Sequence, residues 1–309
     1  MQLKSRPSRL SNHGGSPAGA VQTLSTGNYD FIRRLVYEHS RINLGPDKME
    51  LVRSRLQKRL RALGLADYES YCRLLVSPKG KEELTCLLDV ISTNVTQFFR
   101  EMDHFRFLQD TFLPAFREEY RAGKREPLRV WSAACSSGQE PYSLAILLSQ
   151  FFREQPQVPW RIYATDISTR MLDAGQRGIY RSDQVSLPSA DWLAASFQQG
   201  TGEWEGHYRI KAALRERVEF RHLNLFAQPY PWTERFQVIF CRNVMIYFDR
   251  QTQAQLVSQL ASQLRAGGYL VVGHSESLVG IEHGLKGVRP SIYQQTRTLS
   301  RVHPPRSNL

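Results

Sequence analysis

Leu128-Arg-Val-Trp-Ser-Ala-Ala-Cys-Ser-Ser-Gly-Gln-Glu-Pro-Tyr-Ser143 is the stretch on which the fold turns. Leu128–Ala133 is an apolar run of strand length, the residues after it are small, and Pro141 stands near the start of a helical pattern over 141–153. A strand, a small-residue turn and a helix in direct succession open an α/β layer. Downstream the rhythm repeats: short apolar runs at 161–164, 218–221, 237–240 and 269–272 alternate with helical patterns at 169–178 and 251–265. That alternation predicts a mostly parallel sheet. Residues 180–217 interrupt it, and Gly200-Thr-Gly202 with the alternating His207-Tyr-Arg-Ile-Lys211 predicts a small antiparallel insertion.

Upstream, 28–122 reads as helical throughout. Met49, Val52, Leu56, Leu60 and Leu63 draw one apolar stripe, with Gly64 as the helix stop. Further helices are expected at 67–77, 80–91 and 102–120. Ala122-Gly-Lys-Arg-Glu-Pro127 reads as a linker. Residues 1–27 are rich in Ser, Gly, Arg and Pro without an acidic residue, and offer little apolar surface to offset ordering entropy. They read as a disordered tail, and 296–309 as a flexible one. The expected organisation is an all-helical N-terminal domain at 28–122 and an α/β domain at 128–295 carrying the insertion at 180–217.

The chain of 309 residues can bury two modest cores, and 41% hydrophobic with 23% charged residues is ordinary for a globular protein. No apolar run approaches the roughly 20 residues that cross a bilayer. Cys72, Cys86, Cys135 and Cys241 lack the paired spacing of a zinc site or disulfide framework, which fits a reducing cytoplasm. The histidines lack metal-ligand spacing, and no metal is expected. The formal charge of +12 suits nucleic acid, anionic lipid or an acidic protein alike.

In open α/β sheets ligands settle at the carboxyl ends of the strands. There the turn Ala134–Ser143 serves a nucleoside cofactor or a plain connection, with Gly138 permitting close approach. Asp166 suits the two hydroxyls of a ribose or the cap of the next helix. Asn224-Leu225 suits an adenine edge and face, or a turn. Phe240-Cys-Arg-Asn-Val-Met-Ile-Tyr-Phe-Asp249 brings Arg242 and Asn243 to a cleft or simply leads into a capped helix. Thr93-Asn-Val-Thr-Gln-Phe-Phe-Arg100 places Asn94, Thr96 and Arg100 close together, at a ligand or as a helix lead-in. The helix at 46–63 is strongly basic, with Arg53, Arg55 and Arg59 among its cations.

Together these segments resemble the chemotaxis-receptor glutamate O-methyltransferases, from about residue 28 to 295. The most specific are Thr93–Arg100, Trp131–Ser143, Cys241–Phe248, Gly273-His-Ser-Glu-Ser277 and Gly200-Thr-Gly-Glu-Trp-Glu-Gly206. The resemblance implies a Rossmann-like S-adenosylmethionine-dependent methyltransferase domain behind a helical substrate-recognition domain. It implies transfer of the cofactor's methyl group to receptor glutamates in the cytoplasm, by a monomer that neither enters the membrane nor binds nucleic acid. By motif, Asn94, Thr96, Arg100, Glu140, Asp166, Asn224, Leu225, Arg242 and Asn243 are expected at the cofactor, and Arg100 and Tyr247 at the reacting centre. Arg53, Arg55 and Arg59 are expected to face the acidic methylation helices, and the β-insertion a receptor C-terminal pentapeptide. Ala134 stands where a glycine is common and Gln139 where an acidic residue is common.

Two alternatives are a non-catalytic receptor-binding protein and a nucleic-acid methyltransferase. The first is disfavoured by the intact Arg100, Glu140, Asp166 and Tyr247. Against the second, there is no Asn/Asp-Pro-Pro-Tyr/Phe loop and no Pro-Cys pair; the cysteines follow Tyr71, Thr85, Ala134 and Phe240.

Overall fold

The computed structural model describes residues 23–296. The expected tails lie outside the described residues, except for 23–27 and 296. Helix α1 (Thr26–Ser40) begins inside the segment expected to be a tail. Ser25 caps it by accepting the Asn28 N–H at 3.2 Å, and Leu24 is already buried.

Helices α1, α2 (Met49–Leu63), α3 (Tyr68–Leu75) and α4 (Gly80–Ile91) close around one apolar cluster. Val52, Leu56 and Leu60 of the α2 stripe meet Ile32, Val36, Tyr68, Tyr71 and Leu87 there. Gly64 ends α2 at φ +65°, a left-handed conformation in which a Cβ would be strained.

The next helices pack elsewhere. In α5 (Met102–Phe107) and α6 (Leu113–Arg121) the chain is continuous but widened to a π turn at Leu108–Phe112, where Pro114 has no N–H for the carbonyl of Asp110. Phe98, Phe105, Phe112 and Phe116 share a core with Leu128, Val130, Val238 and Phe240 of the sheet. Residues 98–121 therefore belong with the sheet rather than with the first four helices. The boundary expected at 122–127 falls, by packing, in the stretch 92–97.

The strands are β1 (Leu128–Ala133), β2 (Trp160–Asp166), β3 (Ile179–Arg181), β4 (Phe197–Gln199), β5 (His207–Ile210), β6 (Val218–His222), β7 (Phe236–Cys241), β8 (Leu264–Val272), β9 (Leu285–Arg289) and β10 (Ile292–Gln295). Seven form one sheet in the order β6-β2-β1-β7-β8-β10-β9, parallel from β6 to β8 and antiparallel through β10 and β9. Both faces are covered, which is why the central strands read as continuous apolar runs. Val130 and Val238 face α7 (Gln139–Phe151), whereas Trp131 and Ile239 face α11 (Arg250–Gln263). The remaining short helices are α8 (Thr169–Arg177), α9 (Ala190–Ser196) and α10 (Ala212–Arg215). The insertion is a three-stranded antiparallel sheet in the order β3-β5-β4. Among the described residues no helix is long and apolar enough to cross a membrane.

Candidate active site

From β1 the chain builds β2 and β6 to one side, then crosses back to lay β7 on the other. The carboxyl ends of β1 and β7 therefore diverge at a topological switch point, where an open sheet has its crevice. A cleft of about 1280 Å³, its open mouth included, lies there. Asn94, Thr96, Arg100, Glu140, Asp166, Asn224, Leu225, Arg242, Asn243 and Tyr247 all line it, so every residue expected at the cofactor or reacting centre reaches one cavity.

The turn after β1 is held from β2. Cys135 N–H donates to the Thr165 carbonyl and Ser136 N–H to Asp166 Oδ2, at 2.9 and 2.7 Å. Asp166 Oδ1 accepts the Ser168 N–H at 2.9 Å, while Ser168 Oγ caps α8 by accepting the Met171 N–H. The capping role open for Asp166 thus belongs to Ser168, and Asp166 keeps lone pairs for the cleft. Burial raises its carboxyl above the usual range, against the pull of these N–H groups.

Behind the turn lies a buried charge network. Arg242, its side chain 2% exposed, donates to Glu140 Oε2 at 3.0 Å and to Glu101 Oε2 at 2.8 Å. The same guanidinium bonds the Arg100 carbonyl at 2.5 Å. Ser132 Oγ donates to Glu140 Oε1 at 2.7 Å. The two carboxyls move in opposite directions. Burial pushes Glu140 up, with Arg242 and Ser132 only partly offsetting it. Burial also acts on Glu101, but Arg242, Asn243 and the His274 N–H outweigh it and hold that carboxyl at about 2.

Among the described residues, seven other than glycine have positive φ. Phe99, Glu101, Ala134, Ser136 and Asn243, at +52°, +56°, +63°, +49° and +57°, sit in or beside this cleft. Left-handed backbone of this kind costs energy and persists where its surroundings over-determine it. At Ala134 it supplies the reason a glycine is at home in that position.

The first helical layer roofs the cleft with Ile42, Asn43, Leu44, Lys48 and Leu51. Asn43 N–H donates to the Tyr247 carbonyl at 2.9 Å, and Tyr37 Oη to Asp249 Oδ2 at 2.8 Å. Leu223, Leu225 and Phe226 supply an apolar wall.

Four expectations change. Asn224 forms the turn: its Oδ1 accepts the Phe226 N–H at 3.0 Å and its Nδ2 donates to the His39 carbonyl at 2.6 Å, tying roof to sheet. Gly138 approaches protein, since a Cβ there would lie 2.9 Å from Tyr180 Oη and 3.0 Å from Gly175 Cα. Arg55 is not a free surface cation; it binds the carbonyls of Val90, Ile91 and Ser92 at the end of α4. Arg59 is not free either, since it makes a two-pronged bond to Glu83 at 2.9 and 2.6 Å. Arg53, paired with the exposed Glu50 at 2.8 Å, stays on the surface.

Spacing misses Glu101, His104, Ser132 and Glu276. Glu101 immediately follows Arg100, and Glu276 sits within the quoted Gly273–Ser277 segment, so the signal was proximity to a motif rather than a pattern of its own. Glu101, His104 and His274 bring three potential ligand atoms within 4.8 Å of one another. A cation would meet the Arg242 guanidinium already on Glu101 Oε2, which makes this an ion-pair centre rather than a metal seat.

The described geometry agrees with what the chain is similar to. Residues 94–293 match the family model for "CheR methyltransferase, SAM binding domain", SAM being S-adenosylmethionine, and residues 27–92 match that for "CheR methyltransferase, all-alpha domain". A chemotaxis protein methyltransferase of Escherichia coli is 38% identical over 84% of this chain and 87% of its own length. One from Borreliella burgdorferi is 37% identical over 85% and 92%. Chemotaxis protein methyltransferase 2 of Pseudomonas aeruginosa is 37% identical over 90% and 97%.

Proposed function

The chain belongs to the CheR methyltransferase family, and from that premise we propose that it esterifies glutamate side chains of chemotaxis receptors with the methyl group of S-adenosylmethionine. The observation that carries this reading is the convergence of ten motif residues from five separate segments on the one cleft at the switch point.

The residues present fit the cofactor. Asp166, fixed by two backbone N–H groups, offers its remaining lone pairs to a ribose. Leu223, Leu225 and Phe226 give a heterocycle an apolar wall. Glu101 and Glu140 against the single Arg242 leave negative charge beside the cleft, suited to a sulfonium and an ammonium. The bound cofactor supplies an electrophilic methyl group.

The receptor glutamate is ionised at neutral pH, so its attack needs no general base. The protein's work is alignment and the exclusion of water. Arg100, anchored by its Nη1 to the Val95 carbonyl at 3.0 Å and by its own carbonyl to Arg242, orients the reactants. Tyr247, held through its carbonyl by Asn43, shapes the channel along which the methyl group passes. All ten residues come from one chain, so a monomer suffices.

The enzyme acts in the cytoplasm on acidic receptor helices, with Arg53 among the cations of α2 that steer them to the roof of the cleft. The β3-β5-β4 sheet, with β4 on an edge, takes the receptor C-terminal pentapeptide as an added strand. Deleting that pentapeptide from a receptor fragment should raise its KM, and an unchanged KM refutes the tether.

The deciding experiment follows labelled methyl from S-adenosylmethionine to a receptor cytoplasmic fragment, with RNA as a parallel acceptor. Label on the receptor that mild alkali releases as methanol is a glutamyl methyl ester. Alkali-stable label on RNA overturns the reading, and so does a cofactor complex that labels neither acceptor.

A further inference from the structure

Glu276 is only 6% exposed and, among the described residues, pairs with no cation; its carboxylate is engaged by backbone N–H groups instead. Its Oε2 accepts the N–H groups of Gly273 and Asn243 at 2.7 and 2.8 Å, and its Oε1 accepts that of Met245 at 2.7 Å. Three backbone donors from two loops thus converge on one carboxylate. The loop after β7 is the one they hold. Asn243 there is left-handed at φ +57°, and the turn Met245–Tyr247 carries Tyr247 to the cleft.

The neighbours are arranged for the same grip. A Cβ on Gly273 would lie 2.6 Å from Asn243 Nδ2, 2.9 Å from Glu276 Oε2 and 3.0 Å from the Asn243 backbone nitrogen, so a side chain there would push both of these side chains out of place. From the opposite side Gln253 Nε2 donates to the carbonyls of Met245 and Phe248, at 2.9 and 3.0 Å. The turn is therefore gripped by its N–H groups on one side and its carbonyls on the other.

We propose that Glu276 is a positioning residue for methyl transfer, clamping the Asn243–Tyr247 loop so that Tyr247 keeps its register against the reacting centre. The inference rests on the methyltransferase reading above and deepens it. Acceptors of this charge and number hold donors in a fixed array, and displacement of a group by about 1 Å is enough to cost about 100-fold in rate. Glutamine cannot replace the carboxylate, because its amide would turn N–H against N–H. Aspartate keeps the charge but falls one methylene short.

The test measures methyl transfer to a receptor fragment by wild type, Glu276→Gln, Glu276→Asp, Tyr247→Ala and the double variant Glu276→Gln/Tyr247→Ala. Glu276→Gln should lower kcat about 100-fold, with receptor KM and cofactor affinity by calorimetry held within about threefold. Glu276→Asp should recover part of kcat. With Tyr247 already removed, Glu276→Gln should cost less than about threefold more, because the residue it positions is gone. Independent, multiplying losses in the double variant overturn the proposal, as does a Glu276→Gln defect that appears only in cofactor affinity. Should Glu276→Gln fail to fold, the same comparison runs on Glu276→Asp with and without Tyr247, and multiplying losses there again refute it. A wild type that forms no methyl ester sinks the parent reading and this inference with it. A wild type that turns over beside an unimpaired Glu276→Gln sinks this inference alone.

Discussion

Arg59 in the helical roof pairs with a buried carboxylate and Arg242 beneath the cleft with two partly buried ones, and the two networks end differently. Arg59 makes two bonds to Glu83, whose Oε1 also accepts the Tyr71 hydroxyl at 2.8 Å. One positive charge meets one negative charge, and α2 is tied to α4 with no charge to spare. Arg242 meets two carboxylates, reaches across to the Arg100 carbonyl, and still leaves its Nε without a hydrogen-bond partner among the described residues. A network that only joins helices closes its charge. The one beside the cleft, two carboxylates on one guanidinium, leaves a negative remainder of its own.

Removing the Arg242 guanidinium has the largest expected effect. Arg242→Met strands two largely shielded carboxylates, 14% and 12% exposed, for which a loss of about 3 kcal/mol is expected. That corresponds to a fall in Tm on the order of 10 °C by calorimetry. Methyl transfer should fall by at least about 1000-fold, since the Arg100 backbone loses its anchor together with the site's electrostatics. A variant that melts like the wild type would show that the network carries no structural weight.

Arg59→Met should cost about 3 kcal/mol by the same logic, since Glu83 is 5% exposed. Yet kcat and receptor KM should stay within about twofold where the protein is folded, because neither Arg59 nor Glu83 lines the cleft. Arg53→Glu should do the opposite: almost no change in Tm, a receptor KM raised several-fold, and a flatter salt dependence. A raised KM in Arg59→Met at unchanged Tm would return that arginine to the receptor-facing surface.

Acid separates the regions next. His104 is buried, its ring edge-on to those of Phe240 and His274, and burial first, then Arg242, hold that ring at about 3. The unfolded chain takes up this proton near its ordinary value of about 6.5, the folded chain only near 3. Stability is therefore full above about 6.5 and drains as pH falls toward 3. Glu101, held at about 2, adds its own loss between its ordinary value of 4.5 and about 2. Urea midpoints measured from pH 7 to 4 should fall in the wild type and flatten in His104→Phe. Parallel slopes in the two proteins would assign the acid loss to other groups.

How far the sequence carried these regions depends on what held each residue. Periodicity found α2, α4 and β1 because their apolar faces are continuous. It passed over β9 and β10, where all of the Lys286–Arg289 stretch is exposed and the last hairpin alternates only briefly. It grouped 102–120 with the other helices, since nothing in a helical pattern says which core a helix joins. The motif residues reached the cleft as expected. Arg55 and Arg59 are half-buried like Arg53 but are engaged within the fold, by the carbonyls at the end of α4 and by Glu83, and a charge on a helix face looks the same in sequence whether it meets water or such partners. Glu276 was inside a quoted motif without a role, since its partners are backbone N–H groups that side-chain chemistry does not reveal.

The smallest expected effect compares two left-handed residues. Gly64 at φ +65° ends α2 in the roof, and a Cβ there would meet nothing within 4 Å. Gly64→Ala should therefore report the backbone penalty alone, about 1 kcal/mol of lost stability. Ala134 at φ +63° already bears that strain at the cleft. Ala134→Gly relieves it but frees the unfolded chain, which returns about 0.4–1 kcal/mol in the opposite direction. The net change at Ala134 should lie between zero and a gain of about 1 kcal/mol, with Tm moving by less than about 4 °C. A substantial loss in Ala134→Gly, beside the expected loss in Gly64→Ala, would mean that the Ala134 methyl packs against the site strongly enough to outweigh its own strain.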